Sequence, residues 1–174
     1  MKMSEHISTK QKIKILAMDV DGTLTDGKLY IGNTGEQFKC FHVHDGSGIY
    51  NLLPQYGIKP AVITARKSEI VNNRCRELGI TLIYQNCKDK TAALEQLADE
   101  HGFKKVNDVF EQIAYIGDDI IDLAAMEVSG VTGCPANSTA AVQKCADYVC
   151  QKNGGEGAVR EFIEWLIAER DAEK

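Results

Sequence analysis

The chain has 174 residues, 44% hydrophobic and 26% charged, enough for one globular domain with a sizeable core and unlike a disordered chain. Its formal net charge of −5 argues against nucleic acid or an acidic membrane surface as partner, since both reward basic patches. No apolar run is long enough to span a bilayer, and the opening MKMSEHISTKQKIK lacks the apolar centre of a signal peptide, so a cytoplasmic protein is expected.

Residues 1–12 read as a mobile tail, and 13–174 as a single domain without a cap. IKILAMDV, at 13–20, is a continuous apolar run that suits a strand buried on both faces of a parallel sheet. GKLYI and EQFKCFHV flank the turn signal Gly32-Asn33-Thr34-Gly35, which predicts a β-hairpin over 27–43. A helix is expected from Gly48 to Tyr56, with Gly57 ending it. KPAVIT is the second buried strand, and residues 67–78 form a helix stopped by Gly79.

The alternation continues along the chain. ITLIY reads as a strand, and Asp89 caps a helix carrying Ala92, Ala93, Leu94, Leu97 and Ala98. QIAYI is a strand followed by a short helix at 120–127, and GVTGCP is a further short strand. A helix near 138–145 leads to DYVC. Gly154, Gly155 and Gly157 read as a flexible passage into a final amphipathic helix, 158–168. Strands and helices at this spacing predict a doubly wound α/β fold with a mostly parallel sheet.

Six cysteines show no CxxC pair and no zinc-ribbon spacing, so reduced thiols are expected. Cys40, His42 and His44 would share one face of a strand. A zinc site there lacks a fourth ligand, so a packed strand face is the preferred reading.

Ligands of open α/β sheets bind beyond the carboxyl ends of the strands. Asp19 and Asp21 follow the first apolar run, in D-V-D-G-T, and Thr64 follows the second. Lys90 opens a helix just beyond the third. Asp118, Asp119 and Asp122 follow the fourth, in G-D-D-I-I-D. Clustered carboxylates need a cation, and hard oxygen ligands select magnesium, with Asp19 and Asp118 as its carboxylates. Asp19 is then the candidate nucleophile on phosphorus, and Asp21 the acid and base. Thr64 and Lys90 would bind the phosphoryl oxygens. Each residue alone has a duller explanation, as a loop acid, a helix cap or a solvated lysine. Their joint placement at strand ends is what points to phosphoryl transfer.

These motifs, in this order, resemble the haloacid dehalogenase superfamily of phosphatases. The resemblance implies Asp19 as nucleophile, Asp21 as acid/base and Thr64 and Lys90 as phosphate binders. It implies metal ligation by Asp19, Asp118 and the main-chain carbonyl of Asp21, with Asp119 and Asp122 in support. V-D-G-T-L-T-D-G-K-L, H-D-G-S-G-I, I-T-A-R-K-S, D-K, Y-I-G-D-D and G-G-E-G-A-V-R-E run in order from 20 to 161. Together they resemble a cap-less branch that hydrolyses an eight-carbon acidic sugar phosphate in lipopolysaccharide sugar synthesis.

That branch implies a homotetramer built on the hairpin, with a neighbouring subunit covering each site. About 25 residues separate Asp21 from Gly46, too few for a lid domain within the chain. Arg66 suits the sugar's carboxylate, because a guanidinium binds carboxylate in a bidentate fork. Arg74 and Arg160 are further candidates for substrate binding. Ala65 departs from the usual I-T-G-R pattern, and its Cβ restricts close backbone approach. A phosphatase of nine-carbon acid sugars and a non-catalytic protein on the same fold are the alternatives. A receiver-type signalling domain is excluded by order, since the third strand ends in Ile83-Tyr84-Gln85-Asn86 without an acid. The absence of GxxxxGK argues against a nucleotide-binding loop.

Overall fold

The computed structural model describes residues 9–172. A helical turn, α1 (Thr9–Lys12), precedes β1 (Ile15–Met18), and the hairpin strands β2 (Tyr30–Gly32) and β3 (Gly35–Phe38) follow. Then come α2 (Val43–Ser47), β4 (Lys59–Ile63), α3 (Glu69–Glu77), β5 (Leu82–Tyr84) and α4 (Lys90–Glu100). The rest of the chain supplies β6 (Phe110–Ile116), α5 (Leu123–Glu127), β7 (Ser129–Cys134), α6 (Ala140–Cys145), β8 (Tyr148–Val149) and α7 (Ala158–Ala172).

Six strands form one sheet in the order β5-β4-β1-β6-β7-β8, and every pairing in it is parallel. The reason β1 is apolar throughout is visible in its side chains. Leu16 and Met18 enter one core with Ile49, Val62, Phe162 and Leu166, while Ile15 and Ala17 enter the other with Ile63, Leu94, Leu97 and Tyr115. Alternate residues of a central strand thus serve opposite faces, and neither face meets water. The two hairpin strands pair antiparallel outside this sheet, and the bridge Thr25–Phe41 extends their ladder toward the body.

Three segments differ from expectation. The helix expected at 48–56 begins earlier, as α2, and continues as a π turn (Gly48–Leu52) and a 3-10 turn (Leu53–Tyr56). Pro54 stands in the first turn of the 3-10 segment and has no N–H to give an α-helical bond, so the tighter coil runs from there to Gly57. Cys40, His42 and His44 do not share a strand face, because β3 stops at Phe38 and α2 starts at Val43. The glycine-rich passage is fastened to the loop after β1. Gly155 N–H donates to Thr23 O at 3.1 Å, and a Cβ on Gly154 would lie 1.7 Å from Gly22 O.

The expected tail falls mostly on residues 1–8, outside the described residues. Its last four form α1, where Lys12 pairs with Glu111 at 2.8 Å. Among the described residues no helix is long and apolar enough to cross a membrane.

Candidate active site

β1 lies between β4 and β6, and the chain passes first to β4 and β5 on one side and later to β6, β7 and β8 on the other. The crevice between the carboxyl ends of β1 and β6 is therefore the switch point of the sheet, where such folds bind ligands. Asp19 leaves β1 with its N–H still on Ile116 O at 3.0 Å, so its side chain is delivered to that crevice. Asp118 leaves β6 beside it, and its carboxylate accepts Thr23 Oγ1 at 3.0 Å. Gly22 holds φ +103°, and a Cβ there would sit 2.1 Å from Asp118 Oδ2. Only glycine allows this approach.

Lys90 is the first residue of α4, whose N-terminus Asp89 caps by accepting Ala92 N–H at 3.0 Å. Its ammonium is 1% exposed and donates to Asp19 Oδ1 at 2.6 Å and to Asp122 Oδ1 at 2.7 Å. Asp122 is fully buried. Oδ1 also accepts the Tyr115 hydroxyl at 2.7 Å, and Oδ2 accepts the N–H groups of Asp118 and Asp119 at 3.1 and 3.2 Å. Four donors leave Asp122 no free oxygen for a metal. Its oxygens are taken up by Lys90, Tyr115 and two backbone N–H groups.

Oxygens of Asp19, Asp118 and Asp122 all fall within 4.8 Å of one another. Burial raises the Asp19 carboxyl to about 8, with the charges of Asp122 and Asp118 adding to the rise and Lys90 opposing it. Asp118 rises to about 6, again through burial first and then the charge of Asp122. A hard divalent cation would relieve both, and Asp19 and Asp118 keep oxygens for it. The donor set fits magnesium.

The remaining predicted residues divide into two groups. Thr64 is buried at the end of β4, with its N–H on Tyr84 O and its carbonyl accepting Cys87 N–H. Arg66 stands on the rim, 46% exposed, with Nε 3.7 Å from Asp21 Oδ2. Asp119 is exposed and caps the 3-10 turn Ile120–Asp122. Arg74 and Arg160 are not brought to this crevice by their own chain. Arg74 pairs with Glu77 at 2.8 Å and lies over the Phe41 ring. Arg160 pairs with Glu164 at 2.6 Å, and its N–H donates to the buried Asp45 at 2.7 Å.

A family model described as haloacid dehalogenase-like hydrolase matches residues 65–163. The chain is 41% identical over 166 residues to the 3-deoxy-D-manno-octulosonate 8-phosphate phosphatase KdsC of Salmonella typhi, covering 95% of this chain and 85% of that protein. This chain belongs to the haloacid dehalogenase-like hydrolases. The fold of this hydrolase matches the cobalt-bound octulosonate 8-phosphate phosphatase of Haemophilus influenzae with a TM-score of 0.87. That pair is 36% identical, over 95% of this chain and 94% of that one. The corresponding phosphatase of Moraxella catarrhalis, solved with magnesium, phosphate and its sugar acid, matches with a TM-score of 0.85. Identity is 38%, and coverage is 98% of this chain and 97% of that one.

Sequence reasoning missed four residues that hold the predicted ones or their partners in place. Tyr115 sits inside an apolar strand run, where its ring reads as core and its hydroxyl is invisible. Thr23 reads as part of the turn. Lys39 and Glu36 read as ribbon charges, yet the Lys39 side chain is buried against Asp21 and Glu36.

Proposed function

We propose that this hydrolase releases phosphate from 3-deoxy-D-manno-octulosonate 8-phosphate through a covalent aspartyl-phosphate, with magnesium as cofactor. One observation carries the reaction: the buried Asp19–Lys90–Asp122 chain, with Asp118 beside it, at the switch point of the sheet. The relatives, alike over nearly the whole chain, support the substrate.

Asp19 attacks phosphorus as the bond to the sugar oxygen breaks, and Asp21 gives its proton to that oxygen. Asp21 then takes a proton from the water that attacks the aspartyl-phosphate, which frees phosphate and restores Asp19. Lys90 and Thr64 bind phosphoryl oxygens as charge moves onto them. Asp19, Asp118 and the Asp21 carbonyl would hold magnesium, which offsets the carboxylate charge and draws charge from the phosphoryl group. Asp119 and Asp122 support from behind, Asp122 through Lys90.

Arg66 binds the sugar's carboxylate from the rim. A substrate role for Arg74 or Arg160 would need a second copy of the chain. We assign residues 13–174 to one cap-less domain that assembles as a homotetramer. Leu29, Ile31 and Phe38, between 48% and 65% exposed on the hairpin, support an interface there. Six unpaired cysteines support a reducing, cytoplasmic setting for its part in lipopolysaccharide sugar synthesis.

The test is phosphate release from a panel of sugar phosphates with magnesium or with chelator. Magnesium-dependent turnover favouring the eight-carbon acid 8-phosphate is expected, and Arg66→Ala should lower it on the order of tenfold or more while sparing a small aryl phosphate. Preference for a nine-carbon acid 9-phosphate would overturn the substrate. No turnover of any member by folded protein would overturn the enzyme reading.

A further inference from the structure

Lys39 lies just past the end of β3, on a two-stranded ribbon whose adjacent residues Phe38 and Cys40 are exposed. A lysine in such a place ordinarily runs its charge out to water. Here the side chain is 2% exposed. A buried ammonium is tolerated only when paired, and Lys39 is paired twice. It donates to Asp21 Oδ1 and lies 3.0 Å from Glu36 Oε1.

Glu36 is itself anchored. Its second oxygen accepts the hydroxyl of Ser68, and Ser68 caps α3 by accepting Val71 N–H. Lys39 is thus held from behind by a carboxylate tied to the body of the fold. Asp21 has less support of its own. It stands in the turn after β1, and its other oxygen faces Arg66 Nε at 3.7 Å, beyond a direct hydrogen bond. Among the described residues, Lys39 is the side chain hydrogen-bonded to the Asp21 carboxylate.

We propose that Lys39 is a positioning residue. Projected from the hairpin of the same chain, it holds the Asp21 carboxyl group in the orientation from which it protonates the leaving oxygen. This rests on the acid role proposed for Asp21. A group that transfers a proton must sit within hydrogen-bond reach of the leaving oxygen, and small misplacements are costly. Lys39 supplies the fixed partner that a turn residue lacks. Through Glu36 and Ser68, the seating of the hairpin on α3 and the aim of the acid become one arrangement.

The test uses leaving groups. A sugar alkoxide cannot depart without a proton, whereas p-nitrophenolate can, so loss of a well-aimed acid must be selective. The readout is kcat/KM, which ends at the first irreversible step, departure of the leaving group. Lys39→Met should lower kcat/KM for the octulosonate 8-phosphate on the order of 10²-fold and for p-nitrophenyl phosphate far less. Asp21→Asn should show the same selectivity, and Lys39→Arg should recover most of the sugar phosphate activity.

Equal losses on both substrates would overturn the proposal, because Lys39 would then bind phosphate or merely brace the fold. Unchanged rates would overturn it too. Should Lys39→Met fail to fold, the pair Glu36→Gln with Lys39→Met removes the stranded carboxylate and is read by the same two outcomes. If Asp21→Asn lacks the selectivity while wild type is active, the acid assignment falls and this inference with it. If wild type releases phosphate from neither substrate, the enzyme reading itself falls.

Discussion

The two carboxylates of D-V-D-G-T are two residues apart and live in different surroundings. Asp19 is 4% exposed, held by a lysine that opens α4 and backed by a fully buried Asp122. Asp21 sits higher in the crevice, its carboxylate 18% exposed between Lys39 of the hairpin and Arg66 of the rim. The first group is fixed by sheet and helix, the second by a ribbon. In the proposed mechanism Asp19 attacks phosphorus, and its contacts hold it in place for that step. Asp21, in the same mechanism, meets first a leaving group and then water, and Lys39, tied through Glu36 and Ser68 to α3, keeps it aimed at both.

The sharpest break in this comparison is Asp19→Asn. It should abolish turnover while circular dichroism stays that of wild type, because the amide keeps the shape and cannot attack phosphorus. Retained turnover would remove Asp19 as nucleophile.

Lys90→Met probes the buried side next. It strands Asp19 and Asp122 in the core without their ammonium, and losing one partner of a buried pair costs about 3–5 kcal/mol. Urea unfolding should show the loss in the midpoint. A shift below about 1 kcal/mol would mean that the carboxylates simply take up protons and that the pair contributes little.

The raised pKa values give the next effect and its sign. Asp19 goes from 3.8 to about 8 and Asp118 from 3.8 to about 6. The folded state then holds protons that the unfolded state has released, so metal-free stability falls as pH rises from about 4 to about 8. Magnesium competes with those protons and should stabilise more at pH 8 than at pH 6. At a hundred times its Kd the gain is about 2.7 kcal/mol, read as a rise in melting temperature. A rise that does not grow with pH would place the metal away from Asp19 and Asp118.

What could be read from the chain alone follows the same division. Strands buried on both faces announce themselves as apolar runs, and the acids at their ends stand out because the pattern stops there; Asp19, Thr64, Asp118 and the start of α4 were legible for that reason. The hairpin was legible as a hairpin, from Gly32-Asn33-Thr34-Gly35. That Lys39 turns inward was not, since a ribbon charge is read as solvated unless its partners are known, and Glu36 and Asp21 become neighbours only by folding. The earlier start of α2 was hidden because 43–47, Val-His-Asp-Gly-Ser, carries poor helix formers. Tertiary contact compensates there: Asp45 is buried and accepts Arg160 N–H at the start of α7.

Tyr115→Phe is the finest cut. The ring is fully buried between β6 and the second core, so removing only the hydroxyl leaves packing intact and takes one of four donors from Asp122. A hydrogen bond to a charged acceptor is worth about 1.5–3 kcal/mol, and the thermal midpoint should fall accordingly. Lys90 still bridges Asp19 and Asp122, so kcat should drop less than in Lys90→Met and KM should stay near wild type. A loss of activity as deep as that of Lys90→Met would mean that Asp122 cannot hold Lys90 without Tyr115. The buried side would then depend on a single outlying donor, much as Asp21 depends on Lys39.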